Sequence, residues 1–220
     1  MFLELKEVSF KYPKREKMII SGLNLSFAGT GITAIVGPNG SGKTTLTKLM
    51  MGILKATAGL VCLEGRAIAE YSLAAVGRKI GYVFQNPELQ LFCPTVSEEI
   101  SFGLLNQGAD QETVREKTDF YLKYFELDNY RQAFPLHLSQ GEKQRLAIAA
   151  VLAGEPEILI MDEPTVGLDA YRKHLLRVNL EKVAALGRGI ILVSHDAIFV
   201  QRIAKRLVVI DQGRVEADNG

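Results

Sequence analysis

The chain has 220 residues, 47% hydrophobic and 23% charged, so it is long enough to bury the core of a globular domain and too apolar to be disordered. Its 26 Lys and Arg residues nearly balance its 25 Asp and Glu residues, which argues against a protein that binds nucleic acid through bulk positive charge. No apolar run reaches the ~18 residues that suggest a membrane-spanning helix, and the N-terminus lacks the charged and then apolar layout of a signal peptide.

The N-terminal part of the chain predicts short strands that lead into a glycine-containing loop. Apolar residues indicate strands over 2–10, 18–20, 23–27 and 32–36. The last of these is a short apolar run of the kind found in buried strands. After the loop, apolar residues recur at helical spacing and predict a helix, through Leu46, Leu49, Met50, Ile53 and Leu54.

The loop between this strand and this helix matches G-x-x-x-x-G-K-[ST], the nucleotide phosphate loop. It consists of Gly37, Pro38, Asn39, Gly40, Ser41, Gly42, Lys43, Thr44 and Thr45. Its glycines let backbone N–H groups point into one concavity at the start of a helix, which makes an anion site. We expect Lys43 to reach the β- and γ-phosphates and the Thr44 hydroxyl to bind Mg²⁺. A chance match is the alternative, and the strand and helix on either side argue against it.

The middle of the chain changes from strands to helices. Strands are predicted over 60–66 and 80–84, followed by helical periodicity over 97–104 and 110–125. We therefore interpret 87–135 as an inserted helical subdomain. Its second helix has a stripe that we expect to form core rather than a ligand platform, made of Val114, Phe120, Tyr121, Tyr124 and Phe125.

The C-terminal part alternates helices and buried strands. Helices are predicted over 139–152 and 171–186, and Gly187 is expected to end the second. The apolar run at 158–161 has turn residues on both sides and suits a central parallel strand. A further buried strand is predicted over 190–193, and a terminal hairpin over 207–216.

Two carboxylates follow the apolar run at 158–161. A carboxylate at the end of a buried strand can face a metal held by Thr44, so Asp162 is the candidate Mg²⁺ ligand, directly or through a water. Glu163 lies one residue further and could polarise the water that attacks a γ-phosphate. A solvated pair of loop carboxylates is the alternative, and the phosphate loop upstream argues against it.

The segment LSQGE at 138–142 has two compatible interpretations. Ser139 and Glu142 have the spacing of a capping box, in which each side chain satisfies a backbone N–H group at the start of a helix. A capped helix N-terminus with a glycine nearby, here Gly141, is also an anion site.

Together, these motifs resemble those of the nucleotide-binding subunit of ABC transporters. The shared motifs, in the family's order and spacing, are the phosphate loop, Gln85, LSQGE at 138–142, ILIMDEP at 158–164, GLD at 167–169 and SHD at 194–196. The resemblance covers essentially the whole chain. It implies an α/β P-loop NTPase fold of the ABC ATPase type, with a mixed sheet core, an N-terminal antiparallel β subdomain and an inserted helical subdomain. We therefore predict a single ABC ATPase domain over 1–220, with the core and β subdomain in 1–86 and 136–220 and the helical subdomain in 87–135.

The resemblance also implies roles for individual residues. Tyr12 matches the aromatic residue that stacks on adenine, with an ordinary strand-end tyrosine as the alternative. Gln85 resembles the residue that touches Mg²⁺ or the attacking water and links the site to the membrane partner. His195 resembles the switch histidine that contacts the γ-phosphate. Asp169 resembles the residue that couples two such sites across a dimer.

In this family, the residues matched by Ser139 and Gly141 act in trans, on the γ-phosphate bound by a second subunit. The resemblance implies two ATP molecules sandwiched in a head-to-tail dimer, formed with another copy or with a similar ATPase. The family's signature commonly reads LSGGQ, whereas this chain has Gln140 and Glu142. We expect a competent site in which the negative charge of Glu142 could weaken the interaction with phosphate.

A finer resemblance lies in VFQNPELQLF at 83–92 and TVSEEISFG at 95–103, which are similar to the ATPases of energy-coupling factor transporters. Those transporters import vitamins and cobalt or nickel ions, and their ATPases pair with a transmembrane coupling protein and a substrate-binding membrane protein. The resemblance implies an ATPase that uses ATP and Mg²⁺, lies peripherally at the cytoplasmic face of the membrane and has no nucleic acid partner. Many members carry a C-terminal extension that helps them dimerise, whereas the sequence here stops at Gly220. The affinity of the dimer, and whether this cassette is one half of a longer protein, are therefore left open.

A non-transport ATPase of the same superfamily, acting on DNA or ribosomes, is the alternative function. DNA-repair members insert a long coiled coil between the phosphate loop and the signature, and the segment between 45 and 138 is too short for one. Translation-related members carry two cassettes, whereas this chain has one set of motifs. We therefore expect transport.

Overall fold

Two β-sheets organise the computed structural model, which describes residues 1–13 and 16–220. The strands are β1 Leu3–Phe10, β2 Ile20–Phe27, β3 Gly31–Val36, β4 Ala58–Leu63, β5 Arg66–Ala67, β6 Ile80–Val83, β7 Ile158–Asp162, β8 Gly189–Val193, β9 Arg206–Asp211 and β10 Arg214–Asp218. The α-helices are α1 Lys43–Met50, α2 Leu73–Lys79, α3 Val96–Asn106, α4 Gln111–Tyr124, α5 Gln140–Ala153, α6 Ala170–Ala185 and α7 Ala197–Ile203. None of these helices is long and apolar enough to span a bilayer.

The larger sheet brings the ends of three motif-bearing strands together. Its strand order is β10-β9-β3-β8-β7-β6, and every neighbouring pair is parallel except the terminal hairpin of β9 and β10. Strands β7 and β8 are buried along their whole length, as expected for central strands with both faces covered. Because β3, β8 and β7 are adjacent and parallel, the residues that follow them meet at one edge of the sheet, where ligands bind in open α/β folds.

The smaller sheet is antiparallel, in the order β2-β1-β4-β5. The separate strands predicted over 18–20 and 23–27 are wrong, because Ile20–Phe27 is one continuous strand. Its register against β1 shifts between Leu5 and Val8, and Gly22 in β2 has a φ of 57°. An irregularity of this kind breaks the alternation of apolar residues without ending the strand.

The predicted helical segment contains α3 and α4, which share a hydrophobic core with α5. Within the predicted stripe, Tyr121 and Phe125 are buried as expected, but Phe120 is 47% exposed. The buried face of α4 runs through Thr118, Tyr121 and Leu122, at the spacing of three and four residues that places side chains on one side of a helix, and Phe120 lies outside it. The division into a core and a helical subdomain remains a prediction.

Helix boundaries account for the other differences from the predictions. Helix α1 ends at Met50, and Gly52 follows it with a φ of 68°, so Ile53 lies outside the helix and is 57% exposed. Helices α2 and α7 are seven residues each and were not predicted, since two turns are too short to show a clear period. The mixed sheet, the antiparallel sheet and the helical segment confirm the predicted α/β class.

Candidate active site

The predicted phosphate loop connects β3 to α1 in a conformation that requires glycine. Gly40 and Gly42 have φ angles of 81° and 104°, which residues with side chains rarely adopt. A Cβ atom on Gly37 would lie 1.9 Å from the backbone oxygen of Ile210, so that position has no room for a side chain. Gly42 is the N-cap of α1 and provides no side-chain cap, which leaves the N–H groups of the first turn for an anion.

Lys43 and Ser41 are buried polar residues of this loop. The Lys43 ammonium donates to the backbone oxygens of Gly37 at 2.8 Å and Pro38 at 3.0 Å. The Ser41 hydroxyl oxygen is buried and has no hydrogen-bond partner among the described residues. Burying a polar group without a partner is unfavourable. A loop with an ammonium group and an orphaned hydroxyl therefore fits a phosphate, which accepts hydrogen bonds from both.

Tyr12 lies beside the phosphate loop. Its hydroxyl is 3.2 Å from Thr45 Oγ1, and its ring packs edge-on against Phe10 with the centroids 4.9 Å apart. The side chain is half-buried. The stacking of Tyr12 on adenine stays a prediction.

Asp162 lies at the carboxyl end of β7 with its side chain buried. Its two carboxylate oxygens differ in their hydrogen bonding. The Tyr82 hydroxyl donates to Oδ2 at 3.2 Å, whereas Oδ1 has no hydrogen-bond partner among the described residues. Burial raises the pKa of Tyr82 to about 12, assisted by the charge of Asp162 and opposed by a hydrogen bond with Thr47. The hydroxyl is therefore protonated at neutral pH and acts as a donor.

The same hydroxyl also connects Asp162 to helix α1. Thr47 Oγ1 lies 3.4 Å from the Tyr82 oxygen and donates to the backbone oxygen of Thr44 at 2.9 Å. Side chains on β6, β7 and α1 thereby lie in polar contact from Asp162 to the backbone of Thr44, and these are two of the three residues predicted to bind Mg²⁺. Sequence analysis missed Tyr82 and Thr47, since neither belongs to a motif.

Glu163 and His195 meet at the ends of β7 and β8. Glu163 has a φ of 51°, an uncommon value for a residue with a side chain, and its N–H donates to Val193 O at 2.8 Å. Glu163 Oε2 is 2.8 Å from His195 Nδ1 and accepts from the His195 backbone N–H at 3.3 Å. The Glu163 side chain is 14% exposed and that of His195 is 56% exposed. The pair thus presents a carboxylate held in place by an accessible imidazole.

Residues on either side of His195 fix its loop. The buried Ser194 hydroxyl is 3.1 Å from Thr165 Oγ1 and accepts from the Asp196 N–H at 3.1 Å. Asp196 caps α7 through the Phe199 N–H and pairs with Lys173 of α6 at 2.5 Å. The hydrogen bond from Lys173 holds the pKa of Asp196 below its ordinary value, so the Asp196 carboxyl is ionised at neutral pH.

The LSQGE segment forms the predicted capping box at the start of α5. Glu142 Oε2 accepts from the Ser139 backbone N–H at 2.8 Å and from the Ser139 hydroxyl at 2.7 Å. Desolvation raises the pKa of the Glu142 carboxyl, but hydrogen bonds from Ser139 and Tyr130 outweigh it and hold the pKa below its ordinary value. In this subunit the Ser139 hydroxyl is therefore occupied by a carboxylate.

Nothing in the described part of the chain, 1–13 and 16–220, requires a glycine at position 141. A Cβ atom on Gly141 would meet no described atom within 4 Å, and its φ is not positive. Close approach by another molecule would explain a glycine at such a position.

The remaining predicted residues are Gln85 and Asp169. Gln85 is exposed in the loop after β6, and no hydrogen bond within 1–13 and 16–220 involves its side chain. The loop is held instead by Gln90, which accepts from the Phe84 N–H and donates to Tyr82 O. Asp169 caps α6 by accepting from the Arg172 N–H at 2.8 Å. These contacts leave the predicted roles of both residues untested.

The donor set fits Mg²⁺ only in combination with a nucleotide. Thr44 supplies a hydroxyl, Asp162 an orphaned carboxylate oxygen and Gln85 an amide, all suited to a hard cation. Within 1–13 and 16–220, no cluster of three or more His, Cys, Asp or Glu side chains could hold a metal by itself. Mg²⁺ commonly binds to one or two carboxylates together with substrate phosphates, and these residues match that mode.

Comparisons with known proteins show the family of the chain. The ABC transporter family matches residues 5–166. The energy-coupling factor transporter ATP-binding protein EcfA of Methanothermobacter thermautotrophicus is 38% identical over 220 residues, 98% of this chain and 70% of that protein. The solved structure of cbiO1 from Clostridium perfringens, part of the ABC transporter complex cbiONQ, has a TM-score of 0.92 and 33% identity and covers 99% of this chain and 87% of its own.

A dimeric structure of the ATP-binding cassette MJ0796, in a post-hydrolysis state with ADP and Pi bound, superposes with a TM-score of 0.83 and 29% identity. The match covers 99% of this chain and 97% of that cassette. Relatives differ in length. The match covers 82% of a putative ABC transporter ATP-binding protein from Pyrococcus furiosus but only 32% of the length of another from Methanosarcina acetivorans. The motifs, the geometry of the site and these similarities lead to one conclusion: the chain belongs to the ABC transporter family, as an ATP-binding and ATP-hydrolysing subunit.

Proposed function

We propose that this chain is the ATPase of an importer of the energy-coupling factor type. Two independent similarities support that subtype. A relative that shares 38% of its residues is an energy-coupling factor transporter protein, and the cbiO1 structure belongs to the cbiONQ transporter complex. The residues over 83–103 also carry the pattern of that group.

The observation that carries the catalytic proposal is the Glu163–His195 pair at the same sheet edge as the phosphate loop. In this mechanism Lys43, Ser41 and the N–H groups of the first turn of α1 bind the phosphates. Glu163 orients or deprotonates the attacking water, and His195 holds the carboxylate and contacts the γ-phosphate. Mg²⁺, held by Thr44, Asp162 and Gln85, offsets phosphate charge when bound. The rate enhancement comes from positioning and electrostatics, with no covalent intermediate.

A second cassette completes the site. We assign Ser139 and Gly141 to the nucleotide bound by a partner cassette, which in a purified sample is a second copy of this chain. The unconstrained Gly141 and the exposed Ser139 at the N-terminus of α5 support this assignment, because both suit contact with an anion brought by another molecule. The dimeric MJ0796 cassette offers a precedent in a similar fold. Asp169 would then lie between the two sites.

An exposed apolar surface next to Gln85 supports a membrane partner. Phe84, Leu89 and Phe92 follow the end of β6 and are 44%, 78% and 65% exposed. Phe102 of α3 extends this surface, with its ring 4.8 Å from that of Phe92. Large exposed apolar residues grouped in this way mark interaction sites. We propose that a transmembrane coupling protein docks here, with a substrate-binding membrane protein in the same complex, which would place the ATPase at the cytoplasmic face of the membrane.

Replacing Glu163 tests the catalytic proposal. We expect Glu163→Gln to lower ATP turnover by at least about 100-fold while leaving ATP bound, since the amide keeps the size of the side chain but loses the base. Glu157→Gln is the matched control, because Glu157 precedes the opposite end of β7, and it should leave turnover unchanged. Hydrolysis by Glu163→Gln at the rate of the parent protein would refute the role of Glu163.

Co-purification tests the transport proposal. The tagged Glu163→Gln protein, extracted from membranes with detergent and ATP, should bring down a polytopic membrane protein. A Phe92→Ser and Leu89→Ser double variant should lose that partner while still binding ATP. Recovery of ribosomes or DNA in place of a membrane protein would support the alternative function.

A further inference from the structure

Tyr82 lies on β6, and its hydroxyl contacts two neighbouring elements of the ATP site, β7 and α1. Strands β6 and β7 are parallel neighbours, with Tyr82 opposite Ile160. From there the Tyr82 hydroxyl reaches Asp162 Oδ2 at 3.2 Å and Thr47 Oγ1 at 3.4 Å. The Tyr82 hydroxyl thus contacts both Asp162, at the end of β7, and helix α1, which follows the phosphate loop.

The two oxygens of Asp162 show what this contact does. Oδ2 accepts the Tyr82 hydroxyl, and the buried Oδ1 has no hydrogen-bond partner among the described residues. A carboxylate held through one oxygen cannot rotate freely about its last bond, so the position of the other oxygen is fixed too. Groups that hydrogen-bond to a ligating carboxylate commonly orient it and tune its affinity for a metal.

We propose that Tyr82 is a positioning residue for magnesium: its hydroxyl holds Asp162 so that Oδ1 is left for the Mg²⁺ that arrives with ATP. This inference rests on the proposed Mg²⁺–ATP site.

A purely structural role for Tyr82 makes a different prediction. The ring packs against the core of the small sheet and lies edge-on to Phe84, with the centroids 5.4 Å apart. Tyr82→Phe keeps the ring and these contacts and removes only the hydroxyl. A packing role therefore predicts no change in the dependence on Mg²⁺, whereas a positioning role predicts a specific one.

The experiment measures ATP binding by isothermal titration calorimetry over a series of Mg²⁺ concentrations and in EDTA. All proteins carry Glu163→Gln, so that the nucleotide is not hydrolysed. We expect Tyr82→Phe to raise the half-saturating Mg²⁺ concentration about tenfold and to leave the affinity for ATP in EDTA unchanged.

Tyr71→Phe is the matched control, because the half-buried Tyr71 hydroxyl also makes one hydrogen bond, to Leu63 O at 3.2 Å, without contacting Asp162. It should behave as the parent protein does. An unchanged Mg²⁺ dependence in Tyr82→Phe, or an equal loss of affinity with and without Mg²⁺, would overturn the inference. If the parent protein bound no Mg²⁺–ATP, the proposed function itself would fail. If the parent protein binds Mg²⁺–ATP and Tyr82→Phe has the same Mg²⁺ dependence, only the inference about Tyr82 fails.

Discussion

Glu163 and His195 are joined by a hydrogen bond of 2.8 Å between the carboxylate Oε2 and the imidazole Nδ1. The contact arises because β7 and β8 pair in register, with Asp162 opposite Val193, so the next residues of the two strands leave the sheet together. Since Nδ1 faces the carboxylate, Nε2 is the nitrogen left for a substrate. The pair therefore fixes the carboxylate on one side and offers a ring nitrogen on the other.

Removing the imidazole should impair hydrolysis more than binding. We expect His195→Ala to lower kcat about 100-fold, the cost of losing one group that stabilises developing charge, with the affinity for ATP changed by less than about threefold. Steady-state ATPase assays and calorimetry measure the two quantities. His174→Ala, at an exposed histidine of α6, should match the parent protein. Equal turnover by the His195 and His174 variants would contradict the role of His195.

The charge of Glu142 should weaken ATP-dependent dimerisation. The carboxylate lies 2.7 Å from the Ser139 hydroxyl that we assign to the partner's γ-phosphate, and two anions near each other repel. Glu142→Gln keeps the capping box, which accepts either residue. We expect it to tighten the dimer about two- to fivefold, the scale of exposed charge interactions.

Analytical ultracentrifugation with ATP in a Glu163→Gln background measures this effect. Glu112→Gln, at an exposed position in the first turn of α4, provides the comparison for a simple change of net charge. Weaker association in Glu142→Gln than in Glu112→Gln would show that the carboxylate helps the interface instead of opposing it.

Two substitutions at Tyr12 separate its ring from its hydroxyl. Tyr12→Phe removes only the 3.2 Å contact with Thr45 and should change the affinity for ATP by less than about twofold. Tyr12→Ala also removes the stacking surface and should weaken binding about tenfold, as expected for one base–aromatic stack. Fluorescence titration with ATP measures both. Similar affinities for Tyr12→Ala and the parent protein would leave Tyr12 as an ordinary strand-end tyrosine.

The Lys173–Asp196 pair predicts a dependence of stability on pH. Because the hydrogen bond from Lys173 lowers the pKa of Asp196, the pair stabilises the fold above the ordinary pKa of an aspartate, and this contribution is lost as the pH falls through the folded-state value. Lys173→Met should therefore lower the free energy of unfolding by about 1 kcal/mol at pH 7. The difference in the free energy of unfolding between Lys173→Met and the parent protein should shrink as the pH falls below about 4.

Urea unfolding at pH 7, 5 and 3.5 measures that difference. Lys205→Met, at an exposed lysine beyond α7, removes the same charge without this pair. A deficit of equal size at all three pH values would assign the effect of Lys173 to packing.

Sequence predicted the parts of the site that depend on local pattern. The phosphate loop, the carboxylates Asp162 and Glu163 and the capping box each follow from residues close together in the chain. The structure confirms the capping box, while the roles of the loop and of the two carboxylates stay predictions. The contacts of Tyr82 cannot be predicted from local pattern, because Asp162 is 80 residues away in the sequence and Thr47 is 35 residues away. Only the pairing of β6 with β7 and the packing of α1 create those contacts.

The same limit applies to the ends of elements. The apolar pattern predicts separate strands over 18–20 and 23–27, whereas pairing with β1 makes Ile20–Phe27 one strand that passes through Gly22. Conversely, apolar residues after Met50 continue the helical period although Gly52 turns the chain away. In both places tertiary contacts or backbone geometry override a pattern of apolar residues.

The central claim is that Mg²⁺–ATP joins two cassettes, each completing the site of the other. Light scattering of the Glu163→Gln protein, with saturating Mg²⁺–ATP and without nucleotide, tests it most directly. The account predicts a monomer without nucleotide and a dimer with it, and a loss of the dimer in Ser139→Phe, which blocks the surface assigned to the partner's nucleotide. A protein that binds Mg²⁺–ATP yet stays monomeric at high concentration would contradict the account.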